Sequence, residues 1–312
     1  MQEALDATLP SEFPVMTALD HIVFNTQDRM DEAVALFEHM GFCVSPRGFH
    51  TLGSINHTIV FGTDYLELLG YPPGQPPARR PELVTQPIGL MATVWQTADA
   101  DAAHAALSQR GFKPRAVQSF SRPVDLGGYL ARDQTRDAAF RVTRLEPDAV
   151  PGTWVYYCQH LTPELVWRPE WQAHANGALG MCAIDIAVPD MAAALPRYRA
   201  CMLDGILHGT SETVGASASQ ATLPLRDGMI RLHRQAAPAR MSGLTFRVAS
   251  LDAAHNILTR ANIAHSVTPS PDFVRAAPSS SPPSSLSSCA NSILIDPALT
   301  FGATLQLTAL AR

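Results

Sequence analysis

The chain has no run approaching the ~20 apolar residues that a membrane helix needs, and no block of basic residues. The first absence argues against a membrane-spanning helix. The second, with a formal net charge of −5 at pH 7, removes the electrostatic case for nucleic acid or an anionic membrane surface as partner. The first sixteen residues, MQEALDATLPSEFPVM, carry acids where a signal peptide wants bases, and they lack an apolar stretch. The five cysteines are scattered, odd in number and never spaced CxxC, so neither a disulfide framework nor a thiolate zinc site is expected. A reducing, cytoplasmic setting follows as the expectation. No GxGxxG, GxxxxGK[ST] or GxSxG occurs, so a phosphate cradle and a nucleophile elbow are not expected either.

What is present is ordinary globular material: 312 residues, 46% hydrophobic and 16% charged. At roughly 100–200 residues per domain this makes about two domains. Leu19–Phe24 is β-branched and aromatic, and reads as a strand. Val34, Phe37 and Met40 recur at helical spacing, with Gly41 in the position of a helix-ending glycine. Two further strands follow, His57–Phe61 and Tyr65–Leu69, giving the order βαβββ. The same order starts again at Ile88, with a helix ending in Gly111-Phe112 as the first ends in Gly41-Phe42. Further copies begin near Ala183 and Leu244. The fold class expected is α+β: four βαβββ modules forming two cupped, mostly antiparallel sheets with helices outside. The boundary between module pairs is placed at 1–165 and 166–312. Residues 72–87 read as an extended Pro-rich connector, and 268–288, rich in Ser and Pro, as a surface loop. Trp167 and Trp171 lie between the pairs, where they could anchor one against the other.

His21 on the first strand and Glu67 on the fourth are the most informative residues. If both face inward on a curled sheet, an imidazole and a carboxylate converge, a mixed N/O set that suits Zn, Fe, Mn, Ni or Co. Glu67 sits among Leu66, Leu68 and Leu69, where an unpaired carboxylate is costly to bury. A metal, a basic partner, or plain exposure to solvent would each account for it. In the second module the last strand ends Gln159-His160, and single-residue parity decides which of the two faces inward. The matching first-strand position falls at Met91, a poor ligand for such metals. Modules three and four offer Ala183, Leu244 or Thr245, and Gln306 at these positions, so no second metal site is expected.

Asp20-His21, Gly48-x-His50, Gly53-x-x-Asn56 and Tyr65-Leu66-Glu67-Leu68 together resemble the opening of glyoxalase-like proteins of the vicinal oxygen chelate superfamily, which share a fold with glyoxalase I, bleomycin-resistance proteins and extradiol dioxygenases. The match is good over residues 19–70 and consistent in order beyond. The resemblance implies paired modules, each pair closing a cupped sheet around a site. It also implies a divalent metal, held from the first and last strands, that binds neighbouring oxygens of a small substrate. On this reading His21, Glu67 and His160 hold the metal, and Glu67 and His57 are the candidate catalytic groups, with His57 a general base or a further ligand. His50, Asn56 and Arg141 are the candidate substrate contacts, His50 and Asn56 by hydrogen bonds and Arg141 through a substrate carboxylate. The expectation is a metal-dependent isomerase, lyase or oxygenase, with a dioxygenase disfavoured because the second pair lacks ligands. The alternative is a metal-free protein that sequesters a small molecule, as bleomycin-resistance proteins do. The partner is a small molecule, with a homodimer compatible.

Overall fold

Strand β1 (Leu19–Gln27) is buried along almost its whole length, so side chains on both of its faces are committed to packing. The computed structural model describes residues 17–125, 135–203, 219–269 and 291–309. Helix α1 (Met30–His39) turns Met30, Ala33 and Phe37 inward at helical spacing. It ends at Gly41, whose φ of +84° lies in the left-handed region, and Phe42 N–H donates back to Phe37 O at 3.1 Å. Strands β2 (Gly48–Phe49), β3 (Ile55–Val60) and β4 (Tyr65–Gly70) complete the unit. The Pro-rich connector is not wholly extended: it carries a short helix α2 (Glu82–Thr85) packed near β1. The unit then repeats as β5 (Gly89–Gln96), α3 (Ala100–Gln109), β6 (Gln118–Asp125), β7 (Thr135–Arg144) and β8 (Trp154–His160).

These eight strands form one sheet in the order β2-β3-β4-β1-β5-β8-β7-β6. The first and last strands of each unit pair in parallel, and the two units join antiparallel through β1 and β5. The two edges come together where Thr51 N–H donates to Ser121 O at 3.2 Å, so the sheet curls into a cup. A third unit contributes β9 (Ala178–Val188), α4 (Met191–Cys201), β10 (Gln220–Pro224) and β11 (Met229–Arg234). The fourth contributes β12 (Arg240–Val248), α5 (Leu251–Arg260), β13 (His265–Pro269), β14 (Asn291–Ile295) and β15 (Thr304–Ala309). Their seven strands form a second sheet, and the fold is α+β. Most of the Ser/Pro-rich segment lies outside the described residues. Among the described residues no helix is long and apolar enough to cross a membrane.

The two faces of the first sheet have different fates. Ile22, Phe24, Leu66, Leu68, Trp95 and Tyr157 merge with Ile184, Ile186, Leu244, Phe246 and Leu305 of the second sheet into one apolar core. The other face, with Val23, Tyr65, Val94, Phe140, Val142 and Tyr156, surrounds the inside of the cup. Polar contacts fasten the sheets together. Tyr157 Oη donates to Cys201 O at 2.6 Å, and Arg110 Nη1 donates to Met202 O at 2.8 Å. His174 accepts from Cys43 N–H at 2.9 Å and donates to Val60 O at 3.0 Å, between the rings of Phe42 and Phe61. Trp167 is not at this joint: its ring lies 4.7 Å from His160 and 5.7 Å from Tyr65, on the cup side.

Asp64, 3% exposed, also sits at the joint, accepting from Met181 N–H at 3.3 Å. Burial pushes its carboxyl up to about 7, against the pull of that hydrogen bond. The folded state therefore binds a proton that the unfolded chain has released above about pH 4, and stability falls as pH rises from about 4 to about 7. Asp64→Asn is expected to raise unfolding free energy at pH 8 by an amount on the order of 3 kcal/mol and to leave it unchanged near pH 4. Urea denaturation at the two pH values measures this, and an equal effect at both contradicts it.

Candidate functional site

The parallel register of β1 and β4 sets His21 opposite Tyr65 and Val23 opposite Glu67, so both polar side chains enter the cup from adjacent strands. His21 Nε2 lies 3.7 Å from Glu67 Oε2, and its ring stacks on Tyr65 at 4.4 Å and 16°. Behind it, His21 Nδ1 meets Asp20 Oδ1 at 2.6 Å. A proton on Nδ1, shared with that carboxylate, leaves the Nε2 lone pair turned to the cup. The same Asp20 oxygen meets His160 Nε2 at 3.0 Å. Burial works to raise Asp20, but His160 and His21 outweigh it and hold the carboxyl well below the usual carboxylate range.

Glu67 is buried and anchored on its other oxygen, Oε1, which accepts from Asn56 Nδ2 at 2.7 Å and lies 3.9 Å from His50 Nε2. Burial alone would raise its pKa; His21, His50, Asn56 and Arg80 together bring it below the ordinary value. His50 is driven the opposite way to its usual charge balance. Burial first, then Arg80, Arg122 and Arg144, push it down to about 4 despite Glu67. It is therefore a neutral imidazole at pH 7, with Nδ1 2.9 Å from Ser54 Oγ.

These groups line a partly open cavity of about 40 Å³. Val94, Phe120, Phe140, Val142 and Tyr156 form its apolar wall, and Arg80, Arg122 and Arg144 bring three buried guanidinium groups. Arg80 is paired with Glu82. Arg144 donates to Gln118 Oε1 at 2.8 Å and lies over the Tyr156 ring at 5.1 Å. Gly48, at the seam of the cup, has to be glycine: a Cβ there would lie 2.9 Å from Arg122 Cδ and closer still to Asn56 Oδ1.

Of the residues expected from the sequence, His21, His50, Asn56 and Glu67 meet at this cavity. His160 has the inward parity of Tyr156 and Cys158, yet its Nε2 is taken by Asp20 and it lines an adjoining pocket instead. Asp20, Cys158 and His160 each bring one ligand atom within 4.8 Å of the others there, a second possible cation-binding group. Gln159 points out of the cup, accepting from Ala100 N–H and donating to Ala98 O at the start of α3. His57 does not reach the cavity. It follows Asn56 on β3 and so faces the opposite way, with Nδ1 2.7 Å from Ser45 O and Nε2 accepting from Arg47. Arg141 does not reach it either; its guanidinium pairs with Asp101 on α3 at 2.8 Å. Phe140, Val142 and Arg144 hold the inward parity of that strand. The residue paired with His21 across the antiparallel β1–β5 seam is Val94, which offers no ligand atom either. Arg80, Arg122 and Arg144 went unrecognised. The alternation Phe140-x-Val142-x-Arg144 was a readable signal for the last; Arg80, in the connector, had none.

In the second sheet the corresponding positions are occupied by a self-satisfied network. Arg231 is paired with Asp185 at 2.6 and 2.7 Å and donates to Thr245 Oγ1 at 2.9 Å, while Gln306 donates to Ser292 Oγ at 2.7 Å.

A cupped sheet of two βαβββ units with His and Glu on its inner face defines the vicinal oxygen chelate class. The family model described as a glyoxalase-like domain matches residues 19–202, over half of the chain, and the protein belongs to that glyoxalase-like family. No curated protein matches it in sequence. Among solved structures it is similar to a hypothetical protein from Staphylococcus aureus, at 11% identity and a TM-score of 0.62, over 95% of this chain and 100% of the other. It is similar to the 2,3-dioxygenase LapB from Pseudomonas sp. KL28 at 10% identity and a TM-score of 0.55, over 96% and 94%. A fusion of a xylose isomerase-like TIM barrel with 4-hydroxyphenylpyruvate dioxygenase matches at 10% identity and a TM-score of 0.54, over 98% of this chain and 51% of that one. At these identities the likeness is one of fold.

Asn56→Leu removes the donor to a buried carboxylate at nearly constant volume. It is expected to lower unfolding free energy by about 1.5–3 kcal/mol, as read from urea denaturation. A change under about 0.5 kcal/mol would mean that Glu67 does not depend on this bond.

Proposed function

We propose that the cup of the first sheet is the active site of a metal-dependent enzyme acting on a small molecule that presents two neighbouring oxygens. The observation that carries this is the facing pair His21 Nε2 and Glu67 Oε2, 3.7 Å apart, with His21 fixed from behind by Asp20. A metal-binding histidine ordinarily donates its other ring N–H to a carboxylate in this way. The donor set fits a divalent ion: one carboxylate and two imidazoles, His21 and the neutral His50, on opposite oxygens of Glu67. His160 serves on this reading as a positioning residue, holding Asp20 from the adjoining pocket.

When bound, the metal supplies Lewis acidity toward two adjacent substrate oxygens. The chain's own groups do the rest. Asn56 fixes the Glu67 carboxylate in rotation, and Asp20 fixes His21 in tautomer. His50, uncharged, presents the Nε2 lone pair to the cup as a ligand atom, with Nδ1 against Ser54 Oγ at 2.9 Å. The aromatic wall limits water around the reacting atoms. Isomerase, lyase and oxygenase chemistry are all compatible with these roles. A second reading has a specific support: Val94, Tyr156 and Cys158 face the cavity from the second unit, which among the described residues offers no histidine or carboxylate there. A metal-free binding protein would need none.

Metal content by plasma mass spectrometry, on untagged protein, separates the two. About one divalent ion per chain is expected in the wild type, with loss in Glu67→Gln and His21→Ala, reduction in His50→Ala, and retention in His57→Ala. A metal-free wild type that takes up no added Zn, Fe, Mn, Ni or Co overturns the enzyme reading and leaves sequestration. Retention in Glu67→Gln with loss in Cys158→Ser would move the ion to Asp20, Cys158 and His160.

A further inference from the structure

Buried cations are rare unless paired, and among the described residues the cavity has three. Arg80 is matched by Glu82, and Arg144 has Gln118 for one nitrogen, with its Nε buried and unpartnered. Arg122 on β6 is different. The residue is 3% exposed, lines the cavity, and has no ion pair or side-chain hydrogen bond among the described residues. Burial lowers its pKa, with Tyr65 and Glu67 acting the other way. Glu67 already faces His21 and His50 and accepts from Asn56. Gly48, which packs against the stem of Arg122, leaves the guanidinium where any side chain would displace it. A planar fork of five donors, desolvated and aimed into an apolar-walled space, is a receptor for a planar anion.

We infer that the ligand of the cup is a monocarboxylate: Arg122 binds its carboxylate group, and its apolar body lies against Phe120 and Phe140. A carboxylate is favoured over a phosphate because, among the described residues, Glu67 and Glu82 stand against three guanidinium groups, an excess of one positive charge that one negative charge balances. Phe120 and Phe140 stack on each other at 5.3 Å and 28°, a wall matched to a flat hydrocarbon. The proposal rests on the cup being the functional site and adds the class of its occupant.

The test is calorimetric titration of the full chain, both as purified and after chelator treatment, with 3-phenylpropanoate and its uncharged amide. The carboxylate is expected to bind at least tenfold more tightly than the amide in both preparations. In Arg122→Met that preference should collapse to within about twofold, while Tm stays at or above the wild-type value, because an unpaired buried charge has been removed. Arg122→Lys should keep a weaker preference. Equal affinity for acid and amide, no binding of either, a preference that survives Arg122→Met, or an Arg122→Met protein that melts lower or does not fold each overturns the inference. Inorganic phosphate displacing 3-phenylpropanoate at lower concentration overturns the carboxylate class in favour of phosphate esters. A carboxylate preference in metal-free protein stands even if no metal is ever found, and one metal per chain without that preference sinks this inference alone.

Discussion

The site depends on a single buried charge. Asp20 is wholly removed from solvent, and a carboxylate so placed must be paired or protonated. Its Oδ1 draws His21 from its own strand and His160 from β8 onto one atom. That choice has three consequences. His21 is held in one tautomer with Nε2 turned toward Glu67. The first and second units are tied across the seam at β1, β5 and β8 by a charged contact added to the ladder. His160, the residue best placed by parity to complete a ligand set inside the cup, is committed to Asp20 in an adjoining pocket.

How much of this was readable from residues alone follows from strand periodicity. Repeating units were legible because Gly41-Phe42 and Gly111-Phe112 close two helices in the same way, both glycines at positive φ. His21 and Glu67 were legible because each is a titratable residue in an otherwise apolar strand. Parity was the limit. Asn56 and His57 are neighbours on β3, so one lines the cavity and the other bonds Ser45 and Arg47 outside it. Arg141 and Arg144 are three apart on β7 and therefore face opposite sides. A one-residue uncertainty in strand phase exchanges such sets completely. Arg80 was hidden for another reason: it lies in a Pro-rich connector that reads as a spacer, and only the packing of α2 near β1 brings it to the cavity.

The two sheets show what the same unit becomes when its inner face is used differently. In the second, Arg231 lies against Asp185 and Thr245, every charge answered within the network. In the first, charges are left facing space. The second sheet still serves the first, since Phe246 and Ile184 cover the outer face of the strands that carry His21 and Glu67. Dense packing there resists the rotation that would separate those side chains.

A divalent ion between His21 and Glu67 and three nearby guanidinium groups would repel one another in a site this dry. Glu67 and Glu82 are too few to offset both. An anionic occupant removes the conflict, because it places negative charge between the Arg122 side of the cavity and the His21 side. On that argument the two halves of the site are thermodynamically linked: each cation makes the anion bind better, and the anion makes the metal bind better by the same factor. The imbalance of charge around the cup is then the source of its selectivity, since a neutral molecule of the same shape leaves the repulsion in place.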